Sequence, residues 1–384
     1  MATRTVLFVG FRSGALAAAR KLGLGVLLLD SAPPRAKASA ALAGFAPADL
    51  AGDPMAAVSA ARSVLGSKRP DAVVALTEKS VVPAAAVREA LGVPGVSLDA
   101  ALACHDKVRM KTLVREAGIP CADWAEIGEG TRADDLVRRL GLPLVVKQRG
   151  SSGSRGTVVA TDLDAVRGAL QPGWMAERFV SGVEMSVESI VAGGEVLFQN
   201  PTEYLVPLWA HVVPAALALD ELAAAGDLAR RALAALGMAR GIAHLELFRT
   251  SEGPVFGEVA ARPPGGYIMD AISLAYGFDP WEALLSVELG EVPDLPREAS
   301  GHAGVWILHP GPGVVAAVRG LAETRSVPGV VDVRCRARRG DRVEERVGSG
   351  QDVGRILVRA ATRDAAALAL REAREKLVIE MEPG

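Results

Sequence analysis

Residues 255–266 read VFGEVAARPPGG: an apolar run meets a carboxylate, Glu258, and Arg262 follows four residues later, ahead of two prolines and two glycines. A second carboxylate, Glu246, sits inside HLELF at 244–248. In both stretches the acid stands where strand alternation calls for an apolar side chain or a functional one. If 240–263 folds as a hairpin, pairing 246 with 258 puts both acids on one face. Phe248 then stands opposite Phe256, and Ser251, Glu252 and Gly253 form a three-residue turn with Gly253 left-handed. Like charges directly opposite are destabilising unless something positive lies between them. A hard cation would serve, and Mg²⁺ commonly takes one or two carboxylates plus substrate phosphates. The plainer alternative is two glutamates on a solvent face, and a register slip of one residue separates them.

A second pattern points to phosphate. Lys147 ends the apolar run LPLVVK, and GSSGSRG follows at 150–156. Glycines let backbone N–H groups approach an anion, serine hydroxyls add donors, and the lysine supplies a point charge. A flexible hairpin loop is the competing reading. The segment is not a Walker motif, because no G-K-[ST] follows and a strand, not a helix, comes next. Together the loop and the carboxylate pair imply ATP·Mg²⁺ chemistry.

The elements that must position these groups can be read from the periodicity. TVLFVG (5–10), GVLLLD (25–30) and DAVVAL (71–76) are strands, with helices at 14–23 and 80–92, which implies a small parallel sheet. Gly10 and Asp30 imitate a dinucleotide fingerprint, but GFRSG has the wrong glycine spacing, and tight-turn glycines are the better reading. A helix is expected over 105–120, opened by Asp106 and stopped by Gly118 and Pro120. Hairpins follow at 142–162, at 184–200 (turning at Gly193-Gly194) and at 243–263, with a strand at 174–182 and a helix at 220–237. After about 301 come short strands and a helix at 363–377.

Composition sets the class. The chain has 384 residues, half of them apolar, so more than one core is expected. The net charge of -2 argues against a dedicated nucleic-acid binder, and the arginines between 334 and 346 alternate with acids like a solvated face. The three cysteines have no metal-ligand spacing, which fits a reducing, cytoplasmic setting. No secretory leader or membrane-spanning stretch is expected.

In order, DKVRMKTLVREAGIP, LPLVVKQRGSSGSRGTVV, AERFVSGVEMSVE, HLELF and FGEVAARPPGG resemble the ATP-grasp superfamily, and GHAGVWILHPGPGVV with the tail after it resembles the last domain of L-amino-acid ligases. The resemblance implies a mixed α/β and α+β multidomain fold. A Rossmann-like pre-ATP-grasp domain would occupy 1–100. The ATP-grasp domain would occupy 101–300, with its lid near 112–180, and a β-rich C-terminal domain 301–384. It implies phosphate contacts from Lys107, Lys147 and the loop of Ser151, Ser152, Gly153, Ser154 and Arg155. Adenine would meet Glu177 and the backbone from Arg178 to Val180, and Glu184 would hold the ribose. Glu246 and Glu258 would bind one or two Mg²⁺ ions, with Mn²⁺ admissible, and Arg262 would face the transferred phosphoryl group. His211 would lie near a substrate carboxylate or amine, or else be structural. The departure is Ala260, where the family commonly has Asn. The implied activity joins a small-molecule carboxylate to an amine through an acyl-phosphate, with amino-acid substrates and, by analogy, a homodimer. A superfamily carboxylase or formyltransferase, and a non-catalytic ATP-binding protein, are the alternatives.

Overall fold

Uninterrupted apolar runs suit parallel strands that are covered on both faces. In the computed structural model, which describes residues 3–150, 156–346 and 350–382, Thr5–Val9, Gly25–Asp30 and Ala72–Ala75 are such strands. The parallel sheet has a fourth strand that the periodicity does not announce, Gly44–Pro47, at its edge. The helix after it, Pro54–Leu65, starts at an Asp53 cap with proline in its first turn. Both lie in a proline- and alanine-rich stretch whose apolar pattern is too even to show a period.

The helix expected over 105–120 is Lys107–Glu116, and a further helix that the sequence reading did not include, Leu98–His105, directly precedes it. Asp106 separates them because its carboxylate accepts from the Val108 and Arg109 N–H groups, capping the second and ending the first. That cap orients Lys107 and Lys111 in the first turns of the second helix.

A small antiparallel sheet runs Trp124–Glu126, Trp174–Arg178, Leu144–Gln148, Val158–Ala160. It faces an eight-stranded sheet. That sheet begins with the hairpin Gly253–Ala260 and Arg240–Thr250, then Val183–Ala192, Glu195–Val206 and Ala210–Val213. His302–Leu308, Gly354–Ala360 and Val330–Cys335 continue the same sheet, so the C-terminal strands are hydrogen-bonded onto the central ones. A third antiparallel sheet, of Arg342–Val343, Gly313–Arg319 and Val378–Glu382, lies beside it. Among the described residues no helix is long and apolar enough to cross a membrane.

Alternation along Arg240–Thr250 decides the faces. Leu245 and Leu247 are fully buried in a core with Leu228 and Ala232 of the helix Leu219–Ala235. The other face is apolar at Ile242 and Ile190 and turns polar at His244 and Glu246. The expected pairing of Glu246 with Glu258 is present. Its continuation differs: Leu247 faces Phe256, Phe248 faces Val255, and Thr250 pairs with Gly253 across a two-residue turn. Gly257 is the cause. It is the extra residue of a β-bulge, and a Cβ there would stand 2.9 Å from the Glu246 carbonyl oxygen. Gly257→Ala is therefore expected to cost about 1–3 kcal/mol by overpacking against backbone, read as a lower urea midpoint at unchanged slope.

Candidate functional site

Between the small sheet and the eight-stranded one lies a cavity of about 410 Å³. Lys107, Lys147, Glu177, Arg178, Val180, Glu184, His211, Glu246, Glu258 and Arg262 all line it. Residues separated by up to 155 positions thus share one space. The predicted phosphate loop, Ser151 to Arg155, lies outside the described residues.

At the inner end the lysines and Glu177 form a buried ion cluster. Lys147 Nζ stands 2.5 Å from Glu177 Oε1, and Lys111 Nζ stands 3.0 Å from Oε2. Burial by itself would raise the Glu177 carboxyl, but the two ammonium charges outweigh it and hold it at about 2. Burial pulls Lys147 down, and Glu177 and Glu258 more than offset that, so it stays charged. Lys111, which the sequence reading passed over, is fully buried and also donates to the Gly257 carbonyl at 3.1 Å. Its signal was its spacing: four residues after Lys107, it lies on the same helix face.

Next along the cavity come the carboxylates. Lys107 Nζ lies 3.5 Å from Glu258 Oε2. Glu184 is pushed up to about 7, first by burial and then by the Glu246 and Glu258 charges. Three acids thus crowd one region, an arrangement that favours the approach of positive charge. Among the described residues no group of three or more His, Cys, Asp or Glu is arranged to hold a metal. The opposed Glu246 and Glu258 are the residues that could hold a divalent cation here, since Mg²⁺ commonly takes one or two carboxylates.

Behind the pair is a polar ladder across three strands. Glu188 accepts from Ser186 Oγ at 2.7 Å, Asn200 Nδ2 at 2.8 Å and Thr202 Oγ1 at 2.5 Å. His244 Nδ1 lies 2.9 Å from Glu188, and its Nε2 lies 3.3 Å from Glu246. Burial disfavours charge on His244, yet these carboxylates raise it to about 9. His244 therefore orients Glu246. It also stands opposite Ala260 in the hairpin, where no side-chain oxygen is on offer.

The outer end is built by the turn after the hairpin. Arg262 Nε donates to Glu78 Oε2 at 2.9 Å and its Nη1 to the Pro263 carbonyl at 2.9 Å. Glu78 comes from the parallel-sheet domain, on the turn after Ala72–Ala75, and His105 Nδ1 lies 3.9 Å from it. Tyr267 takes a left-handed φ of 62°, held by its hydroxyl donating to Asp352 at 2.7 Å. On the strand Ala210–Val213, His211 is buried beside Gly266, where a Cβ would come within 3.3 Å of its ring. Burial lowers His211 to about 4, so it is neutral at pH 7, and its Nε2 has no hydrogen-bond partner among the described residues. The reading of 334–346 as a solvated face fails at its end: Arg346 turns inward and stacks on Trp209 at the cavity. Charge alternation alone could not reveal that.

Residues 16–95 match the ATP-grasp N-terminal domain family, 112–274 the ATP-grasp domain, and 305–382 the L-amino acid ligase C-terminal domain 2. An L-arginine-specific L-amino acid ligase of Bacillus subtilis is 27% identical over 306 residues, 74% of each chain. A D-alanine–D-alanine ligase of Chromohalobacter salexigens is 29% identical over 184 residues, 43% of this chain and 58% of that one. Among solved structures, an L-amino acid ligase of Bacillus licheniformis superposes with a TM-score of 0.83 at 24% identity, covering both chains in full. A phosphoribosylglycinamide synthetase of Anaerococcus prevotii gives 0.79 at 16%, over 99% of this chain and 100% of that one. At these identities the superpositions establish the fold.

The cluster around Glu177 makes a pH-dependent prediction. A carboxyl held at about 2 when folded and near 4.3 when unfolded adds stability above the higher value. That stability drains as pH falls toward the lower one. Glu177→Gln leaves two buried ammonium groups unpaired, so at pH 7 it should cost about 3–5 kcal/mol. In urea titrations the gap to the unaltered protein should close between about pH 4 and pH 2.

Proposed function

The chain belongs to the ATP-grasp superfamily, and on that premise we propose that it is an ATP-dependent ligase joining a carboxylate to an amine through an acyl-phosphate, with amino acids as substrates. The observation that carries the reading is the convergence on one cavity of Lys107, Lys147, the opposed Glu246 and Glu258, and Arg262. The L-amino acid ligase match at 305–382 and the amino-acid ligases among the relatives support the substrate class.

A carboxylate resists attack by an amine at neutral pH. Phosphorylation supplies a leaving group, and its catalysis is mainly positioning and charge neutralisation. Lys107 and Lys147 are placed to meet ATP phosphates, with Ser151 to Arg155 proposed to close over them. Glu246 and Glu258 would hold the divalent cation, which offsets charge on the transferring group. Because Ala260 offers no oxygen and faces a His244 already engaged by two carboxylates, we assign one metal ion to this pair. Arg262 is the phosphoryl and oxyanion clamp, held in aim by Glu78. Glu184 is assigned to the ribose, and Glu177 to the adenine amino group. Arg178 and Phe179 already donate their N–H groups to Asp123 and Pro143 carbonyls, so the base-edge contact falls to the Val180 N–H. Neutral His211, with its unpartnered Nε2, is placed to hydrogen-bond a substrate.

Phosphate release from ATP, measured across pairs of amino acids, tests the reading. Release that needs both a carboxylate and an amine is expected. Release driven by bicarbonate or formate alone would replace the ligase with another superfamily reaction. Glu258→Gln and Arg262→Ala should each slow release by roughly 10²-fold or more while circular dichroism stays unchanged. Full activity in either variant would remove it from the site.

A further inference from the structure

The C-terminal segment places a cation in the cavity that the reaction above leaves without a task. Arg346 follows the short strand Arg342–Val343 and lines the cavity's outer end. Its guanidinium lies 4.3 Å over the Trp209 ring, and Nη1 donates to the Leu208 carbonyl at 2.9 Å. Leu208 takes a left-handed φ of 67°, uncommon for a residue with a branched side chain, and thereby presents that carbonyl to the arginine. The group is thus held from two sides on the turn that leads into His211.

What Arg346 lacks is a counter-charge. Among the described residues no carboxylate forms an ion pair with it. Asp352, whose charge reaches it, already binds Arg336 at 2.6 Å and Tyr267 at 2.7 Å. The other two guanidinium groups lining the cavity are matched, Arg262 by Glu78 and Arg178 by Asp123. His211 in the same cavity is buried with an unpartnered Nε2, a second sign that a polar ligand belongs there. With Nη1 engaged, Nε and Nη2 have no partner among the described residues, and together they present the planar donor edge that a carboxylate fits.

We propose that Arg346 is a specificity-determining residue that receives the substrate carboxylate that is not phosphorylated. The inference rests on the ligase reading. The carboxylate to be activated must lie among Lys107, Lys147 and Arg262, whereas Arg346 is fixed to the Leu208–Trp209 turn. Two sources share the chemistry: the α-carboxylate of the amine component, or an acidic side chain.

The test supplies each common L-amino acid and its α-carboxamide as the amine component, with glutamate and glutamine as a further pair, and records kcat and KM for phosphate release. Poor use of the carboxamides assigns Arg346 to the α-carboxylate; equal use of them with glutamate far above glutamine assigns it to the side chain. In either case Arg346→Ala should raise KM for the carboxylate-bearing substrate roughly ten- to a hundred-fold. KM for the amide should stay unchanged, and Arg346→Lys should restore part of the difference. If the unaltered protein uses acids and amides alike, or Arg346→Ala keeps the discrimination, the proposal is overturned. Should no pair release phosphate, the ligase reading falls, and calorimetric binding of the same panel to the protein loaded with a non-hydrolysable ATP analogue and Mg²⁺ decides the inference: amides bound as tightly as acids overturn it.

Discussion

Two glutamates face each other across a hairpin, and much of the molecule is arranged around that repulsion. Strands that pair for packing alone would not place Glu246 opposite Glu258, because like charges across a ladder are destabilising. The opposition persists because positive groups approach from several sides. Lys107 stands over Glu258 from the adjoining helix, and His244 holds Glu246 from the strand itself. Glu184 beside them is pushed up to about 7, first by burial and then by the Glu246 and Glu258 charges.

That constraint reaches far along the chain. His244 can hold Glu246 because Glu188 holds His244, and Glu188 is fixed by Ser186, Asn200 and Thr202 on two further strands. This ladder is buried, and its side chains are hydrogen-bonded to one another, with only Asn200 Oδ1 among the ladder's described atoms left without a partner. The bulge at Gly257 brings its carbonyl to Lys111, which in turn neutralises Glu177. The carboxylate pair and the Glu177 cluster are thus coupled through one backbone irregularity. At the other end, Glu78 from the parallel-sheet domain aims Arg262, and Asp352 from the C-terminal segment holds Tyr267 just beyond it. The C-terminal part lines the cavity with Ile307 and Arg346, whereas the parallel-sheet domain acts on it through Glu78, which holds Arg262.

The sequence alone determined a good deal. Strand alternation interrupted by acids exposed the carboxylate pair, because period 2 makes a misplaced charge conspicuous. Long apolar runs located the parallel strands, and the Asp106 cap was legible from residue type. The edge strand Gly44–Pro47 was not, since short edge strands carry little periodicity. The pairing of 246 with 258 could be predicted, yet its continuation to Phe248 could not. A glycine bulge shifts the register by one without changing composition.

Only tertiary structure decided which partners those residues meet. Glu78 and Arg262 are 184 positions apart, and Arg346 lies 138 from Leu208. No local pattern encodes such a contact, because side-chain type and spacing report only on neighbours within an element. Whether a charge is solvated or turned inward depends on what another part of the chain places in front of it. Arg346 is the case in point: in the sequence it is one more arginine in an alternating run, and in the fold it is a counter-charge waiting for a carboxylate.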